Sequence, residues 1–309
     1  MTESTPFGAR STADHVLAGI DLTGKCIVVT GCNSGIGFET VNALAANGAH
    51  VIGLARSLAA AETACKRAGP ACSPVACDLS DLDSVADAAV SIRALNTPLD
   101  VIVANAGIAN FPSLRARYGV EMQFLINHLG HFALVNELCD RVRDRTGRIV
   151  IVSSNASITH APAGGIMFDN LDGHRSYGAR TFHGQSKLAN ALYAKELSRR
   201  LQSRGIAVNS VHPGATRGTG INRYQKQAWV QSVAALFMRN AQQGAATQAL
   251  LAASPRVAGI SGEYWTDCRI ADGNPLLADI ELAKRLWEAS DRIVAAQSGL
   301  REKRLPAAA

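Results

Sequence analysis

The stretch Thr30-Gly31-Cys32-Asn33-Ser34-Gly35-Ile36-Gly37 constrains the fold more than any other part of the chain. It follows the apolar run Cys26-Ile27-Val28-Val29 and opens an apolar-periodic segment, Phe38 to Asn47. The pattern predicts a strand, a tight glycine turn and a helix N-terminus. Such a turn lets backbone N–H groups approach a pyrophosphate, and the helix dipole favours negative charge at the same point. Glycines also make ordinary loops, so the turn takes its meaning from the strand before it and the helix after it. Gly31, Asn33, Ser34, Gly35, Ile36 and Gly37 are therefore candidate phosphate-binding residues.

Strand-like and helix-like segments alternate from residue 25 to about 265 with no linker-like break. This predicts one α/β domain, a doubly wound parallel sheet of about seven strands. The strands are placed at 25–30, 50–54, 73–77, 99–104, 147–153, 207–211 and 262–265. Helices are expected at 57–68, from an N-cap at Ser80, and at 119–142, 181–203 and 278–294. Residues 1–20 form an N-terminal extension expected to wrap the sheet edge, 21–295 the domain, and 296–309 a flexible tail. Two irregular segments, 155–180 and 215–240, leave the carboxyl ends of strands, where open sheets bind ligands. The second is rich in apolar residues (Ile221, Trp229, Val230, Val233, Leu236, Phe237 and Met238), which fits either a hydrophobic substrate or a helix docked on the core.

With 47% hydrophobic residues the 309-residue chain can bury a large core. The net charge of +6 is scattered rather than gathered into a stripe, so nothing points to nucleic acid. An excess of cations suits an anionic cofactor. The seven cysteines lack metal-ligand spacing and are expected to be reduced thiols of a cytoplasmic protein. Met1 to Ala13 has no apolar signal core, and no apolar run reaches membrane-spanning length.

Further landmarks follow in order. Asn105-Ala106-Gly107 comes after an apolar strand; Asn127-His128-Leu129-Gly130-His131-Phe132, Arg148 to Ser154, Gln185-Ser186-Lys187-Leu188-Ala189-Asn190 and His212-Pro213-Gly214 come after it. Together with the glycine turn these resemble the short-chain dehydrogenase/reductase family from about Phe7 to Val294, in particular its retinol-dehydrogenase and WW-domain-oxidoreductase branch. The resemblance implies a Rossmann-like fold, a nicotinamide cofactor, and a site built from Asn127, Ser154 and Lys187. It also brings Asp78, Leu79, Asn105, Ala106, Gly107, Lys187, Pro213 and Gly214 to the cofactor. One position departs from the family pattern. The residue four before Lys187, a tyrosine in the family motif, is His183. Tyr177 lies ten positions before the lysine and is not one helical turn from it.

Histidine can serve as general acid or base near neutral pH, and a neighbouring lysine cation favours its neutral form. No acid stands between Gly53 and Ala60, and Arg56 is the only charge there, which selects NADP over NAD. The leading expectation is an NADP-dependent oxidoreductase interconverting an alcohol and a carbonyl on a hydrophobic small molecule, with no metal and a homodimer as one possible assembly. The alternatives are a non-redox enzyme (isomerase, cyclase or dehydratase) on the same scaffold, and a catalytically degenerate NADP-binding regulatory protein. Ser153, His160, His174, His128, His131, Tyr177 and Tyr224 are secondary candidates, with His128 and His131 expected to be structural.

Overall fold

The structure is a computed structural model, which describes residues 5–216 and 238–304, and for 298–304 the backbone alone. An eight-stranded sheet forms the centre. In chain order its strands are β1 (Cys26–Thr30), β2 (His50–Ala55), β3 (Cys72–Ala76), β4 (Val101–Ala104), then β7 (Arg148–Val152), β8 (Ala207–His212), β9 (Tyr264–Thr266) and β10 (Arg269–Ile270). A separate two-stranded ribbon pairs β5 (Ala116–Arg117) with β6 (Val120–Glu121). The sheet order is β10-β9-β8-β7-β4-β1-β2-β3, parallel except for β10. The chain leaves β1 toward β2 and β3, then returns to β4 on the other side, so the strand order switches between β1 and β4. Ligands of such sheets bind beyond that point. The expected doubly wound sheet is present, with one strand more than anticipated: the short β9–β10 hairpin adds an antiparallel edge.

Both sheet faces are covered, so the strands read as apolar runs rather than alternating ones. One face carries Val28, Ile52, Ile102, Ile149 and Ile151 and packs under α4 (Leu82–Ala94), α6 (Gly130–Leu138), α8 (Ala179–Arg200) and α10 (Ile280–Arg304). The other carries Ile27, Val29, Val51, Val103, Val150 and Val152. It packs under α1 (Ala13–Leu17), α2 (Gly35–Ala46), α3 (Leu58–Ala68) and α9 (Ala241–Ala253). Each fully buried aliphatic side chain contributes about 1.5–3 kcal/mol. The N-terminal extension is tied at both ends: Ala13, Val16 and Leu17 are buried, and the Thr5 hydroxyl donates to the Cys268 carbonyl beside the edge hairpin.

Several local expectations change. The segment 119–142 is not one helix. Tyr118 and Gly119 take left-handed φ values of 57° and 71° in the β5–β6 turn. Helix α5 (Met122–Phe124) then starts from Glu121, whose carboxylate accepts from the backbone N–H of Gln123 and Phe124. A π-helical turn, Leu125–Leu129, separates α5 from α6. Ser80 is not the N-cap of α4: its hydroxyl donates to Asp78, and Asp81 caps the helix by accepting from Asp83 N–H. α7 is the short Ala156–Thr159. α10 runs on to Arg304, past residue 296 where a tail was expected. Cys65 and Cys72 are paired, against the expectation of seven free thiols; the end of α3 and the start of β3 bring their Cα atoms to 4.9 Å. Cys26, Cys32, Cys77, Cys139 and Cys268 are free. Ile221, Tyr224, Trp229, Val230, Val233, Leu236 and Phe237 lie outside the described residues.

The switch point is held by a buried polar chain. His131 Nδ1 lies 2.9 Å from the Asn127 carbonyl and so carries the proton, which leaves Nε2 to accept from the Thr30 hydroxyl at 2.8 Å. The Thr30 oxygen accepts in turn from the N–H groups of Asn105 and Ala106, at 2.9 and 3.0 Å. Thr30→Val removes this hub and strands buried partners. It should cost about 2–3 kcal/mol in denaturant unfolding; a loss below about 0.5 kcal/mol would show that the chain carries no weight.

Candidate active site

A cavity of about 1000 Å³ opens beyond the carboxyl ends of the strands. Its lining includes Gly31, Asn33, Ser34, Gly35, Ile36, Gly37, Arg56, Asp78, Leu79, Asn105, Ala106, Gly107, Ser154, His183, Lys187, Pro213 and Gly214. Of the sequence-derived site residues only Asn127 is behind the wall. It is fully buried: Nδ2 donates to the Ile108 carbonyl and the Ser186 hydroxyl, and Oδ1 accepts from Ile108 N–H. The π-turn carries it there, with Gly130 N–H reaching back five residues to the Leu125 carbonyl. π-turns of this kind concentrate at functional sites.

The glycine turn is shaped for a ligand bearing phosphates. Gly31 has φ 73°, and a Cβ on Gly37 would sit 2.1 Å from the Gly31 carbonyl oxygen and 2.5 Å from Asn105 Nδ2. Ser34 precedes α2 without capping it, so the first-turn N–H groups and the hydroxyl face the cavity unspent. Three strand spacings separate the end of β2, where exposed Arg56 stands, from the end of β7 and Ser154. That is roughly 14 Å, room for an extended dinucleotide. Glycine cradle, free helix N-terminus and cation thus fit a nicotinamide dinucleotide.

At the other end Lys187 is buried, and Nζ donates to the Val152 carbonyl at 2.9 Å. Burial lowers its pKa to about 8. Gly107 lies close beside it: an added Cβ would be 3.0 Å from Asn127 Oδ1 and 3.4 Å from Lys187 Nζ. Ser153 is spent on structure, donating to the Lys187 carbonyl at 2.7 Å, whereas half-buried Ser154 accepts only from Ala156 N–H. His183 is 8% exposed and its Nδ1 has no hydrogen-bond partner. Burial, then the neighbouring Lys187 charge, push its pKa down to about 3, so the ring is neutral. Tyr177 does not join the site. Its hydroxyl donates to the Phe111 carbonyl, and burial, then the neighbouring Glu121 charge, push its pKa well above the ordinary tyrosine value. His128 and His131 are buried structural groups, pushed by desolvation to about 3 and about 4.

The segment 155–180 divides. Asn155, Ala156, Thr159, His160 and Arg180 line the cavity, while Ile166 and Asn170 fold into the body. From 215–240, Ala215, Thr216 and Met238 line it. His160, a secondary candidate from the sequence, and His212, from the His212-Pro213-Gly214 landmark, line the cavity, as does Arg180, which the sequence did not single out. Arg180 had a signal, being three residues before His183 on one helix. The role of His160 was left open by the sequence; a close approach to Gly184 brings it there, since a Cβ on Gly184 would lie 2.4 Å from the His160 backbone.

A family model described as short chain dehydrogenase matches residues 25–229. The chain belongs to the short-chain dehydrogenase/reductase family. It is 37% identical over 305 residues to the Brassica napus chloroplastic short-chain dehydrogenase TIC 32 B, covering 93% of this chain and 94% of that one. It is also 37% identical over 307 residues to the human WW domain-containing oxidoreductase, covering 95% of this chain and 73% of that one. Among solved structures, a blue fluorescent protein from a metagenomic library in complex with NADPH superposes with a TM-score of 0.63 at 25% identity, over 79% of this chain and 96% of that one. Among the described residues of this family member no helix is long and apolar enough to cross a membrane, and no His, Cys, Asp and Glu cluster could hold a metal.

The cradle carries a direct test. Gly37→Val should abolish dinucleotide binding in fluorescence titrations while circular dichroism shows the fold intact, and a folded variant that still binds would mean the turn has another purpose.

Proposed function

We propose that this chain is an NADP-dependent oxidoreductase interconverting an alcohol and a carbonyl, with His183 as the proton-transfer group. The observation that carries the reading is the position of His183: buried, neutral, one helical turn before Lys187, and on the wall of the cavity that Ser154 also lines. Bound NADP supplies the hydride acceptor or donor. Ser154 holds the substrate oxygen through its hydroxyl. His183 takes the alcohol proton as the hydride leaves carbon; a neutral imidazole is a usable base and a poor acid, so alcohol oxidation is the favoured direction. The Lys187 ammonium holds the nicotinamide ribose, and Asn127 fixes the loop at Ile108 through its paired hydrogen bonds.

Arg56, with no acid beside it at the end of β2, supports NADP over NAD, and the NADPH-bound structural relative is in keeping with this. The expected hydrophobic substrate rested on residues 221–237, which lie outside the described residues. A cytoplasmic location belongs to the same reading; the free thiols of Cys26, Cys32, Cys77, Cys139 and Cys268 support it, and the Cys65–Cys72 pair counts against it. A second reading, a non-redox enzyme on the same scaffold using His183 as base, draws on the same place of His183 on the cavity wall. Product formed without any change in nicotinamide absorbance would select it.

Arg56→Ala should weaken NADP(H) binding roughly tenfold or more through loss of a charged phosphate contact, and leave NAD(H) nearly unaffected. Equal affinities of the intact protein for the two cofactors would overturn the NADP assignment.

His183→Phe should lower turnover by about two orders of magnitude or more with cofactor binding retained, and His183→Tyr should support carbonyl reduction. With the imidazole at about 3, activity should not climb through the ordinary histidine range, contrary to what an unshifted imidazole base would give. It should be level from about pH 5 to 7 and fall as Lys187 loses its proton near 8. A steep rise centred near the unperturbed histidine value, or undiminished turnover in His183→Phe, would remove His183 from the mechanism.

A further inference from the structure

Arg180, His183 and Lys187 occupy positions i, i+3 and i+7 of α8 and all line the cavity, so they form one stripe along a helix face. The stripe is graded. Lys187 is 2% exposed, His183 8%, and Arg180 stands exposed at the mouth. Along the axis Arg180 is about 4.5 Å from His183, the span of a few bonds.

Arg180 is unaccounted for by the protein's own contacts. Among the described residues it makes no hydrogen bond or ion pair. It also occupies the first turn of its helix, where the dipole repels a cation, and no acid in that turn offsets it. Among the described residues the only carboxylate on the cavity wall is Asp78. That group accepts from the Ser80 hydroxyl and N–H beyond the end of β3. Four strand spacings, about 19 Å, separate it from the end of β7. A bound dinucleotide's phosphates would be met by the glycine turn and Arg56 at the ends of β1 and β2, away from α8. Between Arg180 and Lys187, His183 also lines the cavity.

We propose that the substrate carries a carboxylate, bound by Arg180 at the cavity mouth while the carbon under reaction faces His183 and Ser154. The substrate class is then a short hydroxy or oxo acid in place of a wholly apolar alcohol. The guanidinium fork suits two parallel hydrogen bonds to a carboxylate. Exposed His160, whose backbone packs against Gly184 of the same helix, adds a second polar group to the lining. The inference rests on the oxidoreductase reading for the chemistry, but its binding component stands apart from turnover.

The test uses the full chain saturated with NADP, so that the phosphate sites are filled, and two probes of equal shape, para-hydroxymethylbenzoate and benzyl alcohol. Oxidation is followed by nicotinamide absorbance, and benzoate binding by calorimetry. The carboxylate substrate should be preferred in kcat/KM, and benzoate should bind. Arg180→Gln should lower the preference and the benzoate affinity roughly tenfold to hundredfold. Arg180→Lys should restore part of both, since charge returns without the fork. An unchanged melting temperature excludes a folding defect. No benzoate binding, or binding and preference indifferent to Arg180→Gln, overturns the proposal. Benzoate binding lost in Arg180→Gln, with neither alcohol oxidised, upholds the carboxylate site and counts against the oxidoreductase reading instead.

Discussion

The hydrogen-bonded chain from Asn127 through His131 and Thr30 to Asn105 and Ala106 ties together three segments that share no sequence neighbourhood. It joins the end of β1, the loop after β4 and the π-turn behind the cavity. The geometry of the phosphate cradle follows from it: Asn105 Nδ2 donates to the Thr30 carbonyl, and the same side chain stands where any Cβ on Gly37 would collide. The floor of the cofactor site and the wall that holds Asn127 are therefore one rigid unit. Satisfying every member of a buried polar group fixes a unique arrangement, and the cost of breaking one member falls on all.

Electrostatics divide the cavity in two. The end lined by the glycine turn offers backbone N–H groups and an exposed arginine. Its other end holds ionisable groups in a desolvated setting, where charge is suppressed. His183 and His212 are both driven well below their ordinary range by burial, and the ammonium of Lys187 or the guanidinium of Arg239 adds to the effect. The chain thus keeps neutral imidazoles beside cationic side chains, a field suited to holding negative charge.

Much of this was legible in the sequence. The glycine turn, the apolar strands and the position of His183 one turn before Lys187 follow local rules of period and spacing, and the structure places them accordingly. The failures share a cause. A π-turn at Leu125–Leu129, an N-cap passed from Ser80 to Asp81, and the pairing of Cys65 with Cys72 depend on which partner wins a hydrogen bond or which ends of elements meet. His160 reaches the cavity only because Gly184, twenty-four positions on, has no side chain to hold the loop away.

The π-turn also sets a phase. One residue more than an α-helix needs is accommodated between α5 and α6, and each helical residue turns the chain by about 100°. Met122 and Ile126 face the cavity, Asn127 braces it from behind, and the buried apolar residues of α6 face the core, all because of that offset. A chain shortened by one residue within 125–129 could keep α6 seated only by rotating everything before it through that angle. The cavity wall would then present a different set of side chains to the same cofactor floor, so a single-residue change in length here acts as a specificity change rather than a local repair.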